Sequence, residues 1–288
     1  MSTLNSIYPY RVNYTQTSAG KIAFVDEGKG EQTIVFLHGL ANYIGVWQAN
    51  IEELKNTTRC IAIDFPGNGL SEGGDLPYSI SLYSKILGEV IQNLNLKNVT
   101  LCGHGMGGHV ALFAALHSPE IIQKLVLISP SGLESFSPHE VLLLKGSINM
   151  MTLITTDEFQ LSQVINNSFF KKNIAEEKII EDLISLMKNN HHKYWNKMVK
   201  KSIEAMLDEP VYSQLKNITQ KAIIIFGEQD LIIPNKIFHP QLTVKSIAEN
   251  AKKIMPHADF IVLEETGHFA QIEKANIVNQ YIKKFLEY

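Results

Sequence analysis

Short, mainly apolar runs alternate with segments of helical periodicity along most of the chain. Such runs, bounded by turn residues, are typical of strands that are buried on both faces of a sheet. They occur at 33–37, 60–63, 99–102, 125–128, 222–226 and 260–263. Helices are predicted at about 47–54, 78–94, 106–118, 244–253 and 273–286. Residues 9–17 and 21–27 are predicted to form a hairpin around the turn at 18–20.

The middle of the chain follows a different pattern. Between residues 131 and 215 the strand-like runs stop, and Leu, Ile, Met, Phe and Lys recur with a helical period. Elsewhere strands alternate with helices, which predicts a mostly parallel sheet covered on both faces. We therefore predict an α/β core domain formed by 1–130 and 216–288, with a helical cap (a lid) inserted at 131–215.

Composition and charge exclude several classes of protein. The 288 residues are 45% apolar and 19% charged, with a formal net charge of -3. This balance lacks the basic surface of a nucleic-acid binder, and no apolar run approaches the ~18 residues of a membrane span. The N-terminus has no secretory h-region, and Cys60 and Cys102 lie in apolar runs typical of free, buried thiols. We predict a cytoplasmic protein without a disulfide. The sequence does not indicate the oligomeric state.

A glycine-rich turn at 103–108 carries the first chemical information. It lies between the apolar run at 99–102 and the helix predicted after it. Strand, sharp turn and helix are the setting of the nucleophile elbow G-x-S-x-G, which exposes a reactive serine. Here the pattern is G-H-G-M-G, so Gly105 stands where the serine would be.

Four motifs, in the expected order, make the chain resemble the α/β-hydrolase superfamily, of the serine hydrolase type with a helical lid. They are His38-Gly39 after the third strand, D-x-x-G-x-G-x-S at 64–71, the turn at 103–107, and Asp230 with Gly267-His268. The resemblance implies an eight-stranded, mostly parallel sheet with helices on both faces. It also implies a triad in the order Gly105, Asp230 and His268, with the nucleophile missing. His268 would be the general base, and Asp230 would orient its imidazole.

The resemblance further implies where developing negative charge would be stabilised. The backbone N–H groups of Leu40 and Met106 would form an oxyanion hole, which does not depend on side chains. His38, His104, Trp47 and Phe269 are candidate pocket residues. Glu228, Glu134 and Glu265 are weaker candidates for the acid than Asp230.

Other motifs favour structural roles. The segment 64–71 is predicted to form capped turns, and His109 to pack near the elbow. His191-His192 is interpreted as a solvated pair and not as a metal site. No cofactor is predicted, because the glycines at 103–108 are followed about 20 residues later by the apolar strand 125–128 and not by an acidic ribose partner. An apolar lid favours a small or medium hydrophobic substrate or ligand.

Three interpretations of Gly105 remain open. In the first, the chain is a hydrolase for apolar esters or related acyl substrates, and Gly105 is an engineered or accidental substitution that leaves it inactive or strongly impaired. In the second, it is a natural pseudo-hydrolase that binds a small apolar ligand or a partner. In the third, His268 and Asp230 work without a covalent nucleophile, in lyase-like or cofactor-free oxygenase chemistry.

Overall fold

The fold was analysed in a computed structural model that describes residues 7–154, 158–171, 174–188 and 192–287. Eight strands form one sheet in the order β1-β2-β4-β3-β5-β6-β7-β8. The strands are β1 (Asn13–Thr17), β2 (Gly20–Glu27), β3 (Thr33–Leu37), β4 (Arg59–Ile63), β5 (Val99–His104), β6 (Ile122–Ile128), β7 (Lys221–Gly227) and β8 (Ala258–Leu263). β2 pairs antiparallel with β1 and β4, and the other pairs are parallel. The eight-stranded, mostly parallel sheet implied by the sequence is confirmed.

Ten α-helices lie in the described part of the chain. They are α1 (Gln48–Leu54), α2 (Ile80–Asn93), α3 (Met106–His117), α4 (Pro138–Ile154), α5 (Glu158–Ser168), α6 (Ile174–Leu186), α7 (His192–Asp208), α8 (Val244–Ile254), α9 (Ala270–Glu273) and α10 (Ala275–Glu287). Short 3-10 helices occur at Ile44–Trp47 and Tyr212–Asn217. No helix within these described ranges is long and apolar enough to cross a membrane.

Helices α4 to α7 are consecutive and follow β6, before the chain re-enters the sheet at β7. We refer to these four helices and the segments between them as the helical insertion. β6 and β7 are neighbours in the sheet and pair in parallel register. The insertion therefore leaves the core after the carboxyl end of β6, and the chain returns to the core at the neighbouring strand β7.

Several element boundaries differ from the prediction. β1 begins at Asn13 and not at residue 9. Helix α2 begins at Ile80, because the Ser79 side chain caps it by accepting from the Leu82 N–H at 3.0 Å. The last predicted helix is α10, which begins at Ala275 and not at residue 273, and the short helix α9 before it was not predicted. These differences lie at element ends, which a hydrophobic period specifies weakly.

The core is formed by the sheet and the helices on its faces. All six residues of β5 and all five residues of β3 are buried, which accounts for their lack of polar alternation. Cys60 and Cys102 are free and buried in this core. The strand register brings the carboxyl ends of β3 and β5 level, since Leu37 pairs with Gly103.

Candidate active site

Gly105, Asp230 and His268 all lie just beyond the carboxyl ends of parallel strands. Gly105 follows β5, Asp230 comes three residues after β7, and His268 comes five residues after β8. Parallel strands place these ends at one edge of the sheet, where the crevice of an open α/β sheet binds ligands. The structure brings the three residues together, as their order in the sequence led us to expect.

Gly105 occupies a turn that strongly favours glycine. Its φ is 53° and its ψ is -117°, and it caps the N-terminus of α3. Its carbonyl accepts from the N–H groups of Gly108 (3.0 Å), His109 (3.2 Å) and Ser131 (3.0 Å). A Cβ atom built on Gly105 would lie 3.3 Å from Nε2 of His268 and 3.7 Å from Cα of Gly39. Any side chain at position 105 would therefore point at the imidazole.

His268 and Asp230 form a buried pair. Nδ1 of His268 donates to Oδ2 of Asp230 over 2.8 Å. The other carboxylate oxygen, Oδ1, accepts from the N–H groups of Ile232 (2.8 Å) and Ile233 (3.0 Å). In the tautomer in which Nδ1 carries the proton shared with Asp230, the ring lone pair is on Nε2. That nitrogen faces position 105 and can accept a proton there.

Two backbone N–H groups flank Gly105. Met106 is the first residue of α3, where N–H groups have no partner inside the helix. Within the described residues, neither the Met106 N–H nor the Leu40 N–H donates to a protein group. Both residues and Gly105 line one cavity. The positive end of α3 is therefore directed at the position that Gly105 occupies.

His104 is buried beneath this pair. Its Nε2 lies 3.1 Å from the carbonyl oxygen of His268, so Nε2 carries the proton and donates. Its ring packs against the rings of His268 and Phe269, at centroid distances of 4.6 and 4.8 Å. Burial holds the pKa of His104 well below its usual range, so the ring stays neutral at pH 7. His104 thus supports the backbone of His268 and carries no charge into the site.

Two connected cavities lie at the site. The proximal chamber, of about 220 Å³, includes Gly105, His104, His268 and Phe269 in its wall. The distal chamber, of about 330 Å³, lies against the helical insertion. The residues common to both walls are Leu40, Ser131, Met206, Ile232 and Ile233. The chambers therefore adjoin, and together they form an extended and largely apolar space beside Gly105.

Two candidate pocket residues lie elsewhere, and the expectation that they line the pocket is wrong. His38 is fully buried; its Nδ1 donates to the Gly39 carbonyl (2.7 Å), and its Nε2 accepts from the Phe65 N–H (3.0 Å). Burial lowers the pKa of His38 to about 4. Trp47 is also fully buried and packs on Phe36 at a ring-centroid distance of 5.1 Å. Both side chains pack in the core beneath the site.

The weaker acid candidates do not contact His268. Glu228 pairs with Lys245, and Glu265 pairs with Lys171 at the surface. Glu134 accepts from Nδ1 of His239 at 2.5 Å. Of these four carboxylates, Asp230 is the one that is hydrogen-bonded to the His268 imidazole.

Asp64 has the structural role expected for its motif. Its side chain accepts from the Tyr8 hydroxyl (2.6 Å) and from the N–H groups of Ile44 (2.8 Å) and Leu70 (2.9 Å). The Ser71 hydroxyl donates to the Asp64 carbonyl at 2.6 Å. The motif therefore fixes the loop after β4.

Sequence reasoning missed Glu273. Its Oε1 accepts from the Gly267 N–H and its Oε2 from the Phe170 N–H, both at 2.8 Å. It therefore joins the loop that carries His268 to the helical insertion. In the sequence it is one of many surface-type glutamates, and only the fold shows which backbone groups it meets.

No group of His, Cys, Asp and Glu in the described ranges has the arrangement of a metal site. His191, of the histidine pair interpreted above as solvated, lies outside the described residues, so that interpretation stays a prediction.

Known proteins share this architecture over almost the whole chain. The sequence profile of the alpha/beta hydrolase fold family matches residues 32–275. An uncharacterized hydrolase of Bacillus subtilis is 25% identical over 268 residues, covering 91% of this chain and 92% of that protein. A 2-hydroxy-6-oxononadienedioate/2-hydroxy-6-oxononatrienedioate hydrolase of Escherichia coli is 28% identical over 275 residues, covering 92% and 91%. The chain therefore belongs to the α/β-hydrolase family.

Solved structures agree on the fold. A probable hydrolytic enzyme of Pseudomonas aeruginosa superimposes with a TM-score of 0.82 at 20% identity, covering 97% of this chain and 95% of that one. An esterase of Exiguobacterium antarcticum superimposes with a TM-score of 0.78 at 22% identity, covering 96% and 100%. At these identities the likeness concerns the fold alone.

Proposed function

We propose that this chain holds an acyl-transfer site for a small or medium apolar ester, or a related acyl compound. In this site Gly105 prevents the covalent mechanism, because it provides no nucleophile. The proposal rests on the direction in which a side chain at position 105 would point. A Cβ there would lie 3.3 Å from Nε2 of His268, so a serine hydroxyl one bond further could reach hydrogen-bond distance. A glycine offers no atom that can form an acyl-enzyme.

The remaining groups have the roles that acyl transfer requires. His268 would remove a proton from the nucleophile and return it to the leaving group, while Asp230 holds the tautomer and stabilises the imidazolium. The N–H groups of Leu40 and Met106 would donate to the oxyanion of the tetrahedral intermediate. The helical insertion would act as the lid that closes the apolar chambers over the substrate.

The missing hydroxyl costs far more in rate than the remaining groups can recover. Loss of the nucleophile in a serine protease lowers turnover by around 10⁶, equivalent to roughly 8 kcal/mol of transition-state stabilisation. The oxyanion donors and substrate binding leave only a residual acceleration over water. The native chain is therefore expected to be inactive or strongly impaired as an esterase.

Gly105→Ser tests this proposal directly. We expect the variant to hydrolyse p-nitrophenyl butyrate and octanoate and to be labelled by a fluorophosphonate at residue 105. Activity should rise by several orders of magnitude over the native chain, within the ~10⁶ limit set by nucleophile loss. Release of p-nitrophenolate and intact-mass analysis are the measurements.

Two control variants separate the hydroxyl from the rest of the site. Gly105→Ala adds the Cβ without the nucleophile and should remain inert and unlabelled. Adding His268→Ala to Gly105→Ser should abolish turnover again, because the serine then has no base. A folded Gly105→Ser variant that is inert toward p-nitrophenyl esters from acetate to decanoate would contradict the proposal.

A second candidate function uses the free Nε2 without a covalent step. The absent side chain leaves room between Gly105 and His268 for a water or an acidic substrate proton, and Nε2 is placed to accept that proton. In that case the native chain would turn over a substrate, and His268→Ala would stop that turnover. Native activity that survives His268→Ala would exclude this candidate.

A further inference from the structure

The distal chamber contains a polar wall group that acyl transfer does not use. His109, on α3, is 1% exposed and lines this chamber, away from the Asp230–His268 pair. Its Nε2 lies 2.9 Å from the Glu209 carbonyl oxygen, so Nε2 carries the proton. Nδ1 then carries a lone pair, and this buried atom has no hydrogen-bond partner among the described residues. An unpaired buried acceptor is costly, which makes it a candidate ligand contact.

The residue packed against the His109 ring in this wall is a glycine. Gly132 lines the same chamber, and a Cβ built on it would lie 3.6 Å from Nδ1 of His109 and 2.8 Å from Cγ2 of Val211. Glycine is needed here, since its φ is 96° and a side chain would crowd Val211. The face of the imidazole next to Nδ1 is therefore not covered by a side chain of residue 132.

The other polar groups of the chamber favour a hydrogen-bond donor in the ligand. The Ser131 hydroxyl has the Gly105 carbonyl (3.2 Å) and the Met206 sulfur (3.4 Å) as acceptors for its proton, so it can accept in turn. Glu134 contributes a carboxylate, which the N–H of Asn235 and Nδ1 of His239 already contact. Burial lowers the pKa of His109 to about 4, so the ring presents a lone pair at neutral pH.

The rest of the wall is apolar and carries no cationic side chain. Within the described part of the chain, neither Lys nor Arg lines the distal chamber. A buried carboxylate in the ligand would lie near Glu134 without a counter-charge, which is strongly unfavourable. A ligand with an apolar chain, or arm, that ends in a hydroxyl can donate a hydrogen bond to the acceptors in this wall without adding charge. The side-chain amide of Asn235 is neutral, so it supplies no counter-charge.

We propose that the distal chamber selects an apolar ester arm that carries a distal hydroxyl, with Nδ1 of His109 as the specificity-determining acceptor. This inference rests on the proposed function, because it assigns the substrate class of the same site. It also separates three kinds of arm: hydroxylated arms are preferred, plain alkyl arms are accepted, and arms that end in a carboxylate are rejected.

Binding to the native chain tests the proposal without any need for hydrolysis. Isothermal titration calorimetry would compare ethyl octanoate, ethyl 8-hydroxyoctanoate and the monoethyl ester of suberic acid. The pair octyl acetate and 8-hydroxyoctyl acetate covers the opposite orientation of the ester. In at least one orientation the hydroxyl should improve Kd by roughly 2- to 12-fold, the range of a net neutral hydrogen bond. The terminal carboxylate should weaken binding at least about tenfold relative to ethyl octanoate.

A variant assigns the preference to His109. His109→Leu should lose the hydroxyl preference while still binding ethyl octanoate, and Ile203→Leu, another change in the chamber wall, should retain it. Circular dichroism melting checks that each variant is folded. If His109→Leu does not fold, the comparison of ligands on the native chain still decides the substrate class.

The outcomes separate the two proposals. Equal Kd values for hydroxylated and plain esters in both orientations would overturn the chamber assignment, even if Gly105→Ser restores hydrolysis. A hydroxyl preference on the native chain would support the assignment even if Gly105→Ser stays inert, in which case the acyl-transfer proposal alone fails. Tighter binding of the suberate ester would also overturn the assignment.

Discussion

Gly105 affects stability and chemistry in opposite directions. A φ of 53° with a ψ of -117° is accessible to glycine and strained for any residue with a side chain. Its Cβ site, 3.3 Å from Nε2 of His268, would also require a small shift of the imidazole. In the proposed acyl-transfer site, the residue that lacks the nucleophile is therefore also the residue that fits the turn best.

We therefore predict that Gly105→Ala lowers the free energy of unfolding by about 1–3 kcal/mol, the usual cost of a residue held in such a conformation. Urea denaturation followed by circular dichroism measures the change. Gly88→Ala is the matched control, because Gly88 lies inside α2 and a Cβ there meets nothing within 4 Å. That control should gain roughly 0.5–1 kcal/mol from helix propensity. Equal effects at the two positions would contradict the strain argument.

At this scale the sequence predicted which residues meet at position 105 better than which residues line the space around them. Asp230 and His268 meet because their strands end at one edge of the sheet, and strand order can be inferred from motifs. His38 and Trp47 were assigned to the pocket wrongly, since proximity to a motif does not show which way a side chain points. The role of Glu273 depends on two backbone N–H groups that no sequence pattern identifies.

Among the elements, the loop after β4 is held by one buried carboxylate. Asp64 is fully buried and joins Tyr8, Ile44 and Leu70 through its two oxygens. Burial is the largest influence on its pKa and raises it to about 7, against an ordinary value of 3.8. The folded state therefore holds the Asp64 proton more tightly than the unfolded state does.

That difference predicts a pH-dependent stability. For an acid whose folded pKa is raised, the contribution to stability is complete below the unfolded pKa and is lost as pH rises. The loss due to Asp64 should therefore develop between about pH 4 and pH 7. Buried His38 and His109 act in the opposite sense, because their lowered pKa values remove stability as pH falls from about 6.5 toward 4. A single pH curve of the native chain would mix these effects.

Asp64→Asn isolates the carboxylate. Urea denaturation at pH 5 and pH 8 should show that the native chain loses more stability over this interval than the variant does. The histidine contributions are common to both proteins and cancel in the difference. The same pH dependence in the two proteins would show that Asp64 stays ionised in the folded state across this range.

For the whole molecule, the alternation of strands and helices was sufficient to predict a mostly parallel sheet with helices on both faces. It was not sufficient to predict where the insertion meets the core, because that contact joins residues about 100 positions apart. Ser168, at the end of α5, accepts from the His268 N–H at 2.7 Å. Gly267 permits this approach, since a Cβ there would lie 2.5 Å from the Ser168 carbonyl oxygen. The base of the proposed site thus depends on the position of the insertion.

Glu273 completes this connection and gives the last prediction. One carboxylate accepts from both Gly267 and Phe170, and Glu273→Gln replaces one of its two oxygens by an NH2 group, which cannot accept. One of the two N–H groups therefore loses its acceptor. In the Gly105→Ser background we expect kcat to fall by roughly 10- to 100-fold through misplacement of His268, with a much smaller change in KM. Steady-state kinetics with p-nitrophenyl butyrate measures kcat and KM separately. Glu265→Gln is the control, since Glu265 reaches the insertion only through an exposed pair with Lys171. If both variants retain full kcat, the position of His268 does not depend on the carboxylate of Glu273. The hydrogen bond from the His268 N–H to the Ser168 carbonyl is then sufficient to hold the imidazole.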